Sequence, residues 1–402
     1  MNLGKEILEK LEILGQISST SLGVTRYYLS KEYFKAKDVI ENWMKEASLK
    51  TSIDSLGNLI GEYQSPNSNA KTLVIGSHQD SVTNGGKFDG IMGVILPIVC
   101  LKELLKNNQS IPCNLKIISF AYEEGVTYPN ACFSSKALAG TFSKELLNLE
   151  YQGKKLSDAL KENNFDTNTI ENSKLKDIDA FLEIHIEQGP VLVRENLPVG
   201  IVSGIQGCNR YLVTLEGEAA HSGTIPMDMR KDAAVAMSEI IYKSTKLVET
   251  KENIVITFGR IEVFPGAMNI IPGKAVFTID LRGPHNQILD NIMEEIKDII
   301  IKATSKRNIL YALEITNKLT NTVCSPSVIQ RLEKSFENTQ QKIFKLNSGA
   351  GHDTQEFANL TDVGMLFVRC VDGLSHNPME DVYEKDLDVA SDIIIDFIQN
   401  FY

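Results

Sequence analysis

The chain has 402 residues, 43% of them hydrophobic, and a net charge of −11 from 41 basic and 52 acidic side chains. That is enough chain for two domains or one large one, with apolar residues sufficient for a sizeable core. The acid surplus excludes the basic face that binding to a phosphate backbone requires, so no nucleic-acid partner is expected.

The N-terminal run Met1-Asn2-Leu3-Gly4-Lys5-Glu6 lacks the charged-then-apolar pattern of a secretory leader. The longest apolar stretch, residues 90–101, is too short to span a bilayer, so no membrane partner is expected. The cysteines at 100, 113, 132, 208, 324 and 370 are scattered, with no Cys-x-x-Cys pair. In a chain this long they read as free thiols in a reducing compartment, which predicts a cytoplasmic protein.

After a polar turn at 64–70, residues 72–76 predict a buried strand that runs into Ser77-His78. A helix over about 90–106 follows, then strands over 115–122 and 179–185. Short β-rich runs alternating with amphipathic helices predict an α/β domain whose mostly parallel sheet is flanked by helices. The three strands end at His78-Gln-Asp80, at Glu123-Glu124 and at His185. Ligands of open α/β sheets bind at the carboxyl ends of the strands, so these clusters predict one site.

The rhythm then changes. Strand 208–217, helix 229–247, strands 253–263 and 274–282, helix 286–303 and strand 309–317 give the β-α-β-β-α-β order of a ferredoxin-like α+β unit. This predicts a domain over 211–322 inserted into one built from 1–210 and 323–402. Helices near 326–339 and 385–400 complete the larger domain.

His78 is followed two residues on by Asp80, a spacing that lets the carboxylate hold the ring's second nitrogen. Asp89 lies in the glycine loop Gly85-Gly86-Lys87-Phe88-Asp89-Gly90, Glu123-Glu124 follows an apolar strand, His185 opens His-Ile-Glu-Gln-Gly-Pro, and His376 sits in Gly-Leu-Ser-His-Asn-Pro. Singly, each has a plain structural reading: a core or surface histidine, a solvated acidic strand end, a tight turn. Together they form a nitrogen/oxygen donor set suited to zinc, manganese, cobalt or nickel. One carboxylate bridging two ions would leave a water between them that needs a base beside it, and Glu123, next to a ligating Glu124, fits that role.

At these residues the chain resembles the amidase/hydantoinase/carbamoylase branch of the aminoacylase-like metallopeptidases, of N-carbamoyl-L-amino acid hydrolase or allantoate amidohydrolase type. The matching stretches are Gly76-Ser-His-Gln-Asp-Ser-Val82, Gly85-Gly-Lys-Phe-Asp-Gly90, Glu123-Glu-Gly125 and His185-Ile-Glu-Gln-Gly-Pro190. They continue with Ala220-His-Ser-Gly-Thr-Ile-Pro-Met227, Met268-Asn-Ile-Ile-Pro-Gly273, Ser348-Gly-Ala-Gly-His-Asp353 and Gly373-Leu-Ser-His-Asn-Pro378. The resemblance implies two divalent ions per subunit, with His78, Asp89 and His376 as ligands, Asp89 bridging, and Glu124 and His185 one on each ion. It casts Glu123 as general base and Asp80 as the group orienting His78. It also implies hydrolysis of a C–N bond in a small ureido substrate, and a homodimer through the inserted domain, which would act as a lid.

For substrate contacts the resemblance implies His221 polarising the scissile carbonyl, and Asn269 with Arg282 binding a carboxylate. An arginine fork matches a carboxylate bidentately. An exposed turn histidine and a surface ion pair are the plain alternatives. Gln206 and Arg210 are further candidates, Gly351 and His352 are placed at the pocket wall, and His352-Asp353 could instead cap the helix that follows. One departure stands out: after Glu-Glu-Gly the family pattern has a small residue, Arg-Phe and a later Gly-Ser, where this chain has Val126-Thr127-Tyr128-Pro129 and Ser134-Ser135. Pro129 and Arg210 resemble allantoate amidohydrolases, whereas Gln206 resembles other branches. An aminoacylase or aminopeptidase, and a non-catalytic metal-binding protein, are the rival readings.

Overall fold

The computed structural model describes residues 2–401, which divide into two compact units, 2–203 with 323–401 and Gly204–Thr322. The division falls earlier than residue 210 because Gly207–Glu216 is one continuous strand. Its first residues, Gly207 to Arg210, already pair with Gly283 to Asp280.

The first unit is built on a nine-stranded sheet. Four neighbouring strands, Asn114–Phe120, Thr72–His78, Ala180–Ile186 and Asp362–Val368, run parallel. The sheet is therefore mixed rather than mostly parallel, because antiparallel strands flank this block on both sides. On one side lies a hairpin absent from the sequence reading, Lys50–Ile53 with Leu59–Tyr63. Its turn is made by Asp54, whose Oδ1 accepts the N–H groups of Leu56 and Asn58, and by Gly57 at φ +88°.

Every residue of Thr72–His78 and Ala180–Ile186 is buried, as expected of parallel strands covered on both faces. Leu73, Ile75, Leu182 and Ile184 join one hydrophobic core, and Val74 and Phe181 join another. The helix Met92–Lys106 lies in the larger core and is apolar on nearly all sides, the pattern of a fully buried helix. The helices expected near 326–339 and 385–400 are Pro326–Asn338 and Glu384–Gln399.

In the second unit the strand order is Val255–Thr257, Lys274–Gly283, Gly207–Glu216, Leu310–Leu319, with antiparallel neighbours. The single strand expected over 253–263 is two, Val255–Thr257 and Ile261–Phe264, both paired to Lys274–Gly283. Residues 258–260 oppose only Thr278 and Ile279, so an extra residue bulges out of the ladder there. The first helix starts at Ala233 rather than 229, because Asp232 Oδ1 accepts the N–H groups of Ala234 and Val235 as a cap. Ala275, Phe277, Ile279 and Leu281 all point into the core formed with the helices Ala233–Val248 and Asn286–Ser305.

Gly93 allows the helix Met92–Lys106 to lie against the strand carrying His185, since a Cβ there would sit 1.9 Å from the carbonyl oxygen of Ile184. Gly93→Ala is expected to destabilise the fold by about 1–3 kcal/mol, the usual cost of overpacking. A denaturant midpoint equal to that of the unchanged protein would show that this contact yields freely.

Candidate metal centre

The parallel strands bring their polar ends to one edge of the sheet. His78 closes its strand in register with Phe120, His185 lies in register with Phe367, and Glu123-Glu124 begin three residues beyond Phe120. Asp89 lies in the loop before the helix Met92–Lys106. His376 lies in the loop before the helix Glu384–Gln399, at φ +53°. Gly90 is required next to Asp89, because its φ is +66° and a Cβ there would collide with the His78 ring at 2.3 Å.

Asp80 ties these loops together. Its Oδ1 accepts the N–H of Glu123 at 3.0 Å and its Oδ2 that of Glu124 at 3.2 Å. The Nδ1 of His78 lies nearer the Asp80 main-chain carbonyl, at 3.0 Å, than the carboxylate, at 3.5 Å. The ring is therefore oriented mainly by the backbone of Asp80, while the carboxylate fixes the glutamate pair. His185 is set in the same way, with Nδ1 at 2.9 Å from the carbonyl of Ile186. Both rings thus turn their Nε2 inward, where the two nitrogens are 3.5 Å apart.

Asp89 is shared by two candidate ligand groups, His78–Asp89–His185 and Asp89–Glu124–His376. Its Oδ1 is 3.1 Å from His185 Nε2 and 3.8 Å from His78 Nε2, and its Oδ2 is 3.1 Å from His376 Nε2. Glu124 Oε2 is 3.6 Å from the same His376 nitrogen. Within each group the donor atoms lie within 4.8 Å of one another, close to the span of ligands at about 2.0–2.2 Å from a common centre. Imidazole nitrogen with carboxylate oxygen is a donor set that first-row transition metals accept. The residues present fit such ions.

Burial and mutual proximity act on the charges of these groups. Burial pushes the Glu123 carboxyl up to about 7, with His78 acting in the opposite sense. Burial and the charge of Asp89 raise Glu124 well above the usual carboxylate range. Burial works against a charged His78, but its hydrogen bond to Asp80 and the charges of Glu123, Asp80 and Glu124 hold it well above the usual imidazole range. His185 and His376 are also raised: burial opposes the first, Asp89 holds it up, and Asp89 is the leading cause for the second. Glu123 is 9% exposed and accepts a hydrogen bond from the Cys132 thiol at 3.5 Å.

Several residues here carried no role in the sequence reading. Gln188 donates from Nε2 to both Asp89 oxygens, at 3.2 and 3.0 Å. Glu380 accepts the N–H groups of Phe88 and Asp89 with one oxygen and the Ser375 hydroxyl with the other, bracing two ligand loops. Glu183 accepts from Ser77 and Thr354. Glu183 alternates with His185 on an otherwise apolar strand, a signal legible in sequence; Glu380 had none. His352 is buried, its ring centroid 4.5 Å from that of His185, while Gly351 is exposed. Asp353 sits at the start of the helix Thr354–Phe357, but its side chain makes no capping bond, so the capping alternative does not hold.

The remaining candidates belong to the second unit. His221 is exposed and accepts the Gly223 N–H at Nδ1, which leaves Nε2 to carry the proton. The Asn269 carbonyl accepts the N–H of Ser222, and the Asn269 side chain is exposed. Gln206 donates to the carbonyl of Asn253. Arg210 and Arg282 both bind Asp280, Arg210 through Nε at 2.8 Å and Arg282 through two nitrogens at 2.7 and 3.3 Å.

The family model of peptidase family M20/M25/M40 matches residues 74–400. The chain is 37% identical over 389 residues to an N-carbamoyl-L-amino-acid amidohydrolase of Pseudomonas sp., covering 94% of each. It is 33% identical to allantoate deiminase 1 of Glycine max, covering 99% of this chain and 89% of that protein. Its fold matches the crystal structure of an amidase of the hydantoinase/carbamoylase family from Burkholderia multivorans. The TM-score is 0.93 at 28% identity, covering 98% of this chain and 97% of that one.

Histidines must be neutral to ligate, so protonation of His78, His185 and His376, whose pKa values are all raised, competes with any ion entering here. Loading chelator-stripped protein with zinc near pH 7 in weak buffer is expected to release protons, and affinity is expected to fall as pH falls. Stoichiometric zinc uptake with no acidification would show that the rings are already neutral.

Proposed function

This chain belongs to peptidase family M20/M25/M40, and on that footing we propose that it is a metal-dependent amidohydrolase cleaving a C–N bond of a ureido substrate, an N-carbamoyl-L-amino acid or allantoate. The observation that carries this reading is the sharing of Asp89 by two ligand groups beside the buried carboxyl of Glu123. His78, Asp89 and His185 would hold one divalent ion, and Asp89, Glu124 and His376 a second, zinc or manganese before cobalt or nickel. When bound, the ions supply Lewis acidity and make a water held beside them able to lose a proton near neutral pH.

Glu123 accepts that proton and returns it to the departing nitrogen, so that one base serves both halves of the reaction. Burial raises the Glu123 pKa, which suits it to take a proton, and a cation held by the neighbouring ligands would offset part of that rise. His221, with its proton on Nε2, is the donor for the scissile carbonyl. Arg282 and Arg210 together outweigh the single charge of Asp280, which leaves a cationic cluster suited to a substrate carboxylate, with Asn269, Gln206 and Gly351 as further contacts. The inserted unit would serve as lid and dimer interface. The strand Leu310–Leu319 ends its sheet and exposes Leu310, Tyr311, Ile315 and Leu319, an edge that a second copy could cover. Six free cysteines fit a cytoplasmic setting, and no helix among the described residues is long and apolar enough to cross a membrane.

The test is ammonia release from a panel of N-carbamoyl amino acids and allantoate, beside amino-acid release from N-acyl amino acids and dipeptides. Turnover of the acyl compounds or dipeptides alone would replace this reading with an aminoacylase or aminopeptidase. Glu123→Gln is expected to retain the ions and lose about 10²–10⁴-fold in kcat. Normal turnover with full metal content would remove Glu123 from its role.

Arg282→Lys is expected to lower kcat/KM by about 10–100-fold on acid substrates, because an ammonium cannot supply two parallel hydrogen bonds. The loss should vanish on the corresponding amides. An equal loss on both would assign Arg282 to the Asp280 cluster alone.

A further inference from the structure

Arg26 lies before the span matched by the family model and is 2% exposed. Its guanidinium is spent on main-chain carbonyls. Nε donates to the carbonyl of Gln79 at 2.6 Å, and Nη1 donates to those of Leu14 at 3.1 Å and Ile17 at 3.5 Å. Gln79 stands between His78 and Asp80. Leu14 lies in the last turn of the helix Gly4–Gly15 and Ile17 just beyond it. The backbone of Arg26 is also stitched to the same loop, its N–H donating to the Ser81 hydroxyl and its carbonyl accepting the Ser81 N–H.

A buried guanidinium is expensive, and burial lowers its pKa to about 10, with Asp80 acting in the opposite sense. Two features make the placement tolerable. The carbonyls at the end of a helix carry partial negative charge, so a cation there is favoured, and the Leu14 carbonyl takes it beside the Ile17 N–H. The fork geometry also lets one side chain reach acceptors on two separate segments, which a lysine cannot do. A structural core would be served more cheaply by an apolar residue of similar volume. What the arginine adds is a fixed position for the Gln79 carbonyl, between the ligand His78 and the residue that orients it.

We propose that Arg26 is a positioning residue for the metal centre, fixing the main chain at Gln79 and with it the aim of His78 and the reach of Asp80 to Glu123 and Glu124. The N-terminal segment is thereby part of the site's machinery rather than an appendage to the fold. This inference rests on the metal-centre reading and goes beyond it.

The test uses the full chain, stripped with chelator and titrated with Co(II), with affinity and the visible d–d spectrum as readouts. Failure of the unchanged protein to bind cobalt would remove the metal-centre reading itself. Given binding, Arg26→Met is expected to bind about 10–100-fold more weakly, the range for groups that orient metal ligands, with a changed spectrum. Arg26→Lys, which keeps the charge but not the span, is expected to fall between. A purely structural Arg26 would lower the unfolding midpoint and leave affinity and spectrum of the folded protein as they were, which would overturn the proposal. If Arg26→Met does not fold, Arg26→Lys decides: affinity and spectrum equal to those of the unchanged protein overturn it, and a loss in both supports it.

Discussion

The carboxylate of Asp80 takes the N–H groups of Glu123 and Glu124, while its carbonyl takes the Nδ1 side of His78. Two neighbouring parallel strands, Thr72–His78 and Asn114–Phe120, thus end in one rigid knot. One residue sets both groups, His78 through its carbonyl and the main chain of Glu123 and Glu124 through its carboxylate. Asp80 is 2% exposed, so water does not compete for these bonds.

Around that knot the protein concentrates more negative charge than it would tolerate for stability alone. Asp80, Asp89, Glu123 and Glu183 are all buried, and the Glu124 side chain is only 6% exposed. Burial or neighbouring acids push Glu123 and Glu124 up, whereas Asp89 is held well below the usual range, against its own burial, by His185 and His376. Neighbouring carboxylates with pKa values driven apart mark a site arranged for chemistry rather than packing. Ser77 and Thr354 donate to Glu183, and Gln188 and Ser375 donate to Asp89, so these buried carboxylates are hydrogen-bonded.

The inserted unit follows a different economy. One face of its sheet supplies a core of Ala275, Phe277, Ile279 and Leu281, and the alternate positions of the same strand carry Thr278, Asp280 and Arg282. The period of two that buries one set necessarily presents the other. Asp280 lies opposite Arg210 in the register with Gly207–Glu216, so both arginines are organised before any ligand is considered. A preorganised cationic pair loses little side-chain freedom on binding an anion.

Local pattern determined much of this protein. The apolar runs fixed the central strands and the helices Met92–Lys106, Asn286–Ser305 and Glu384–Gln399 to within a few residues, because burial on both faces or along one stripe leaves a periodic trace. The candidate site residues His78, Asp89, Glu123, Glu124, His185 and His376 stand out in the sequence because each interrupts an apolar or glycine-rich run with a group that has no packing use. Tertiary structure alone decided the rest. The mixed sheet, the bulge at 258–260 and the hairpin at Lys50–Ile53 depend on which strands become neighbours, and short strands carry no partner label. Whether Asp80 grips His78 by its carboxylate or its carbonyl, and whether Glu380 and Arg26 reach the ligand loops at all, depends on contacts between residues far apart in the chain. Spacing along a sequence records what a side chain can bond nearby, and only the closed fold brings Arg26 to Gln79 and Glu380 to Asp89.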